Sequence, residues 1–378
     1  MKFSTTAIHT GQEPDERTGA VSVPIFQTST YANPGIGQST GYDYSRAINP
    51  TRTALEKNYA ALEGAEYAFA FASGLSAIDA VLRTLSAGDH VVAASDMYGG
   101  TYRLFSKILT RFGVEFTFAD MTDAANIERA ITQRTKMIYT ETPSNPMMLL
   151  ADLHAIAGIA KAHNLLSVVD NTFASPYLQS PIALGFDASV HSSTKYLGGH
   201  SDLIGGAVMT SNAALAEQVK FIQYAVGAVP SPFECWLLLR SARTLAVRMR
   251  QHCANAETIA DFLSSHKRVV KTYYPGLRSH PQRELAVRQM RGFGAMISFD
   301  AGSLDAARKI SESVRVITFA ESLGGVESLL CHPATMTHGS IPAETRRELG
   351  ITDGLLRLSV GIEDVEDLVA DLDNALRA

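Results

Sequence analysis

His191-Ser192-Ser193-Thr194-Lys195-Tyr196-Leu197-Gly198-Gly199-His200 closes a short apolar run at Ala188 to Val190. A lysine set among small hydroxyl residues and glycines at a strand end suits an amine that reacts covalently. Desolvation or a positive neighbour lowers its pKa and frees the nitrogen to condense with a carbonyl. Ser192 and Thr194 offer hydroxyl and backbone N–H groups to a phosphate. In isolation, the segment fits a solvated lysine in a polar loop equally well. Upstream, Val168-Val169-Asp170-Asn171-Thr172 ends a second apolar run. A carboxylate at the C-terminal end of a parallel strand faces the crevice in which α/β proteins bind ligands. An acid followed 25 residues later by a lysine is the pair that pyridoxal phosphate (PLP) requires. The lysine holds the aldehyde, and the acid keeps the pyridine nitrogen protonated so that the ring withdraws electrons.

Two further segments fit the same cofactor. Ala72-Ser73-Gly74-Leu75-Ser76 lies at a strand-to-helix junction, where the N–H groups of a helix start suit a phosphate; a plain capping serine is the alternative. Tyr98, in Asp96-Met97-Tyr98-Gly99-Gly100-Thr101, follows another strand, and its ring could stack on that of a cofactor.

Around these motifs the chain alternates short apolar strands with amphipathic helices. Strands are expected at Tyr67 to Phe71, His90 to Ala94, Val114 to Phe118, Met137 to Thr140 and Leu165 to Val169. Helices are expected at Thr53 to Leu62, Leu75 to Leu85, Leu104 to Phe112 and Leu153 to His163. This pattern predicts an α/β domain with a mostly parallel sheet. Helical periodicity follows at Ala213 to Tyr224 and Glu234 to Leu263. Strands return at Val269 to Tyr274, Gly294 to Phe299, Arg315 to Phe319 and Leu355 to Val360. The organisation expected is an N-terminal arm (1–50), rich in Pro, Gly, Ser and Thr, a cofactor-binding α/β domain (51–240) and a smaller α+β domain (241–378).

Composition narrows the class. The 378 residues are 46% hydrophobic and 19% charged, with a net charge of −5. This is a globular profile without the clustered basic residues of a nucleic-acid or membrane-surface binder. Three cysteines at 235, 253 and 331 form neither a disulfide framework nor a metal motif, so no metal is expected and a cytoplasmic location is. P-loop, zinc-protease and G-x-S-x-G signatures are absent.

Tyr44-Ser45-Arg46, Asn49-Pro50-Thr51, Ser73-Gly74, Tyr98-Gly99-Gly100, Glu141-Thr142-Pro143-Ser144-Asn145-Pro146, Val169-Asp170-Asn171-Thr172, Ser193-Thr194-Lys195-Tyr196 and Arg357-Leu358-Ser359-Val360-Gly361 occur in this order. Together they resemble the PLP-dependent Cys/Met metabolism family of transsulfuration enzymes over nearly the whole chain. The resemblance implies the fold type I (aminotransferase-like) architecture and PLP as cofactor. It implies that Lys195 holds the cofactor and shuttles protons, and that Asp170 pairs with the pyridine nitrogen. Tyr98 would stack on the ring and serve catalysis, while Ser73, Gly74, Leu75, Ser192 and Thr194 would bind the phosphate. Tyr44 and Arg46 would reach the phosphate of a neighbouring subunit, in a homodimer with shared sites or a tetramer of two such dimers. Arg357, with Ser322 and Asn145, would bind the α-carboxylate of an amino-acid substrate.

Subfamily signals are Gly100, Glu321, Arg103 and Asp43. Methionine γ-lyases usually carry Cys where Gly100 stands. An acid at Glu321 resembles cystathionine γ-synthases and γ-lyases, whereas β-lyases resemble a different, aromatic pattern at this turn. Arg103 could meet a distal carboxylate. Ala47-Ile48 departs from the polar residue and glycine that relatives usually have there. The expectation is γ-elimination or γ-replacement on cystathionine, or on an O-acylhomoserine with cysteine. Methionine γ-lyase, O-acetylhomoserine sulfhydrylase and a catalytically silent regulator are the alternatives.

Overall fold

The structure, a computed structural model, describes residues 1–339 and 341–378. Seven strands build the larger sheet: β1 (Tyr67–Phe71), β2 (His90–Ala94), β3 (Glu115–Ala119), β4 (Thr135–Glu141), β5 (Leu166–Asp170), β6 (Ala188–Ser192) and β7 (Gly206–Thr210). Their order is β1-β7-β6-β5-β4-β2-β3. β7 runs antiparallel to both of its neighbours, and the other pairs are parallel. β2 and β7 are buried along their whole length, as expected of strands with both faces covered, which read as unbroken apolar runs.

Parallel order carries the ends of β4, β5 and β6 to one edge of the sheet. Glu141 pairs with Asp170, and Asp170 with Val190, so three chemically loaded segments meet there. The helix Gly74–Leu82 starts at the same edge, capped by Ser73 Oγ, which accepts the Ser76 N–H at 3.1 Å. Gly206 Cα lies so close to this turn that a Cβ would sit 2.1 Å from the Ser73 carbonyl oxygen.

A second sheet of order β10-β11-β12-β9-β8 follows: β8 (Lys271–Tyr273), β9 (Met296–Asp300), β10 (Thr318–Phe319), β11 (Leu329–Cys331) and β12 (Leu355–Ser359). One apolar cluster runs from Leu55 and Ala70, through Leu238 and Met249 on the helices Pro232–Ala242 and Leu245–Ser265, to Ile297 and Leu358 on this sheet. The second sheet is therefore packed onto the first unit, and its central β12 carries Arg357 toward the larger sheet's edge. Among the described residues no helix is long and apolar enough to cross a membrane.

Several boundaries differ from the sequence reading. The stretch from Glu234 to Leu263 is two helices, broken at Arg243-Thr244, where Thr244 leaves helical geometry (φ −105°, ψ 2°). The expected boundary at 240/241 therefore falls inside the first of them. The arm holds a short helix, Phe3–His9, and a bridge between Thr30 and Tyr44. The expected helix from Leu104 to Phe112 is a run of π and 3₁₀ turns continuing the short helix Gly99–Arg103.

Candidate active site

A cavity of about 340 Å³ opens where the sheet edge meets the second sheet, within the size range of small-molecule sites. Of the residues singled out in the sequence, Ser73, Gly74, Leu75, Tyr98, Asn145, Asp170, Ser192, Thr194, Lys195, Glu321, Ser322 and Arg357 all line it.

The helix start forms one corner. Adding a Cβ at Gly74 would place it 2.8 Å from Ser192 Cβ and 2.9 Å from Ser192 Cα. Only a glycine lets the helix N-terminus press this close to the end of β6. The corner thus gathers exposed N–H groups, the positive end of a nine-residue helix and the hydroxyls of Ser73, Ser192 and Thr194, a donor set suited to a phosphate. Thr194 Oγ1 is fixed by the Gly205 N–H at 3.0 Å, and the Ser192 N–H donates to Thr172 Oγ1 at 2.9 Å.

Lys195 lies three residues beyond the end of β6, and its Nζ donates to Ser322 Oγ at 2.8 Å. Burial, and after it the nearby Arg357 cation, bring its pKa down to about 8. Asp170 is buried at the end of β5, and Oδ1 accepts the Thr172 N–H at 3.0 Å. Burial raises its pKa, while the hydrogen bonds from Thr172 oppose the shift. A buried carboxylate with few neutral donors is well matched to a cationic ring nitrogen. Tyr98 is 40% exposed and lines the cavity, so an aromatic side chain is available there.

Arg357 is 2% exposed. Nη1 donates to Asn145 Oδ1 and Nη2 to the Ser322 carbonyl oxygen, each at 2.9 Å, while Nε is buried without a partner. Asn145 is held in turn: its carbonyl oxygen lies 2.9 Å from Nε2 of buried His338, whose pKa burial lowers to about 4. Ser322 sits at φ +97°, a strained value for a residue with a Cβ. That turn places Glu321 on the cavity while leaving it exposed to water. An amine, a buried acid, a phosphate corner and a guanidinium thus share one cavity, a set that can hold PLP and an amino acid together.

The chain matches the family described as Cys/Met metabolism PLP-dependent enzyme over residues 4–377. It belongs to that family. It is 54% identical to a cystathionine beta-lyase of Lactococcus lactis subsp. cremoris over 374 residues, 99% of this chain and 98% of that one. It is 49% identical to a cystathionine gamma-synthase of Mycobacterium leprae over 378 residues, 99% and 96% of the two chains. The fold matches the crystal structure of a cystathionine gamma-lyase from Lactobacillus plantarum complexed with L-serine, with a TM-score of 0.97 at 50% identity, covering 100% and 99% of the chains. The fold type I reading and the PLP requirement hold. Relatives at about the same distance carry three different names, so the aromatic-turn argument against β-elimination does not by itself decide between them.

Tyr44, Arg46 and Arg103 lie outside the Lys195 cavity; for Tyr44 and Arg46 the expected place is the phosphate of a neighbouring subunit. Tyr44 and Arg46 line a separate hollow with Thr28, Asn49 and Ser231. There Arg46 Nη1 donates to the Tyr224 carbonyl oxygen at 2.7 Å, and its guanidinium lies 4.8 Å from the Tyr224 ring centre. Arg103 is exposed and does not line the Lys195 cavity, because the short helix Gly99–Arg103 turns its first three residues inward. Conversely, Glu141, Thr172 and Thr337 line the cavity without having been assigned a role from sequence. Glu141 and Thr172 stood inside quoted motifs, and the position of Glu141 at a strand end was a usable signal. Thr337 lies in an irregular loop and gave none.

Proposed function

We propose that the cavity carries out PLP-dependent elimination or replacement at the γ carbon of sulfur amino acids, acting on cystathionine or on an O-acylhomoserine with cysteine. One observation supports this reading most: Glu321 lines the same cavity as Lys195, Ser322 and Arg357, so an acid is available to the distal ammonium of cystathionine. The bound cofactor supplies an aldehyde for an amine and a ring that draws electron density from the substrate α carbon.

The chain's own residues do the rest. Arg357 binds the substrate α-carboxylate through its planar fork, steadied by Asn145. Lys195 Nζ holds the cofactor, then takes and returns protons at the substrate's α and β carbons. Its lowered pKa leaves an appreciable share of free amine near neutral pH. Ser322 Oγ fixes that nitrogen when it is free. Asp170 would pair as an anion with the ring nitrogen, Tyr98 would face the ring, and the helix start with Ser73, Gly74, Leu75, Ser192 and Thr194 would take the phosphate. Tyr44 and Arg46 serve the phosphate of a partner chain.

Product analysis with cystathionine is the test. Cysteine, 2-oxobutanoate and ammonia are the expected products, and an O-acylhomoserine with cysteine should give cystathionine. A second reading, β-elimination, is favoured by the 54% identical relative named cystathionine beta-lyase. Homocysteine and pyruvate as the dominant products would replace the first reading with the second.

A further inference from the structure

Glu141 ends β4 directly opposite Asp170 in the β4–β5 register. Paired strands lie about 4.8 Å apart, so the two side chains leave the sheet side by side. Both line the cavity, and both are buried. Two carboxylates this close and shielded from water do not both ionise readily.

Their surroundings are unequal. Asp170 accepts the Thr172 N–H and lies where a cationic ring nitrogen would face it. Glu141 accepts one donor, the Tyr98 backbone N–H, at 2.9 Å from Oε2. The charged and titratable groups that bear on it are Asp170 on β5, Asp96 beyond β2, Tyr139 on β4 and Arg357 on β12. Two of these are acids and only Arg357 is a fixed cation. Burial first, and then Asp170, push the Glu141 carboxyl well above its ordinary range.

Tyr98 depends on this contact. It is the residue through which the chain enters the helix Gly99–Arg103, and its own side chain caps nothing. Behind it the packing is close. A Cβ at Gly99 would lie 2.4 Å from the Thr337 carbonyl oxygen, and one at Gly100 would lie 2.3 Å from the Tyr98 ring. The Glu141 bond sets where that entry sits relative to the cavity, and hence where the ring lies.

We infer that Glu141 is a positioning residue that works as a neutral acid, anchoring the Tyr98 N–H so that the ring covers the cofactor while leaving Asp170 as the single anion beside it. This rests on the reading that PLP occupies this cavity. Glutamine keeps a carbonyl acceptor for the Tyr98 N–H and carries no charge; leucine leaves that N–H unpaired.

The test compares Glu141→Gln and Glu141→Leu with the parent in three measurements. These are the dissociation constant of cofactor-free protein for PLP, the thermal midpoint of the cofactor-free protein, and kcat and KM with cystathionine. Glu141→Gln should stay within about threefold of the parent in PLP affinity and kcat. Glu141→Leu should weaken PLP binding and lower kcat about tenfold or more, with KM changed less. Its thermal midpoint should fall by no more than that of Glu141→Gln plus a few degrees. Equal damage in both variants would show that the carboxylate charge is needed, overturning the inference; so would a Glu141→Leu protein with parental PLP affinity. Failure of the parent itself to bind PLP would instead overturn the reading of the cavity.

Discussion

The nitrogen of Lys195 reacts only as the free amine. Burial, and then Arg357, lower its pKa from 10.5 to about 8. The rate at which cofactor-free protein takes up PLP should therefore rise as pH passes through about 8 and level off above it. Arg357→Leu should move that midpoint upward, since it removes the second cause and leaves the first. An uptake profile in the parent that keeps climbing past about pH 10, the ordinary lysine range, would contradict the assignment. Glu321 makes a different prediction. It lines the cavity yet is exposed, so its pairing with a distal ammonium is weakened by solvent. Glu321→Ala should lower kcat/KM for cystathionine about threefold to tenfold and leave methionine turnover unchanged or raised. Equal losses on both substrates would make Glu321 structural.

At the scale of the element, Asp371 shows how the second sheet is tied to the site. It lies on the C-terminal helix Val365–Arg377 and accepts the N–H groups of Arg315, Val316 and Ile317 at 2.8–2.9 Å. Those residues lead into β10, and the Glu321-Ser322 turn follows it. Asp371→Ala leaves three N–H groups without this acceptor and should cost about 2–4 kcal/mol in urea denaturation of the cofactor-free protein; a loss below about 0.5 kcal/mol would place the anchor elsewhere. The same contact explains a limit of the sequence reading. Arg315 to Phe319 has strand composition, but its first three N–H groups go to Asp371 and the strand shrinks to Thr318–Phe319. By contrast, Tyr67–Phe71 and His90–Ala94 were legible residue for residue, because buried strands need continuous apolar runs. β11 escaped notice because three residues, Leu329–Cys331, are too few to show a period. Most of the site was readable because Lys195, Asp170 and Ser73 sit at or just beyond strand or helix ends, Lys195 and Ser73 with glycines close by. Glu141 carried a signal, its place at a strand end, but its pairing with Asp170 comes from register, and Thr337 lies in a loop; neither register nor loop is revealed by a linear pattern.

At the scale of the whole molecule, charge burial gives the fold an acid limit. Burial lowers His252 and His338 from 6.5 to about 4. Between those values the unfolded chain binds more protons than the folded one, so stability falls as pH drops through this window. For His252 the full loss is on the order of 3 kcal/mol. Asp96, raised by burial to about 6, acts in the opposite sense between 3.8 and 6. His252→Gln should flatten the acid slope of the urea midpoint between pH 6.5 and 4, and an unchanged slope would assign it to other groups. Tyr44 and Tyr224 beside Arg46, Phe221 on the same helix as Tyr224 and Phe233 at the start of the next helix are all exposed, which suits burial against a second copy of the chain. A mixture of inactive Arg46→Ala and Lys195→Ala proteins, refolded together, should regain activity through hybrids with one intact site; no recovery, or a fully active monomer, would exclude a shared site.

The most direct measurement of the account is covalent. Reduction of the PLP-loaded protein with borohydride fixes a lysine-bound cofactor to its nitrogen, and peptide mass analysis then identifies the lysine. The account predicts the cofactor's added mass on Lys195 and loss of both the label and turnover in Lys195→Ala. A label on any other lysine, with turnover surviving in Lys195→Ala, would contradict it.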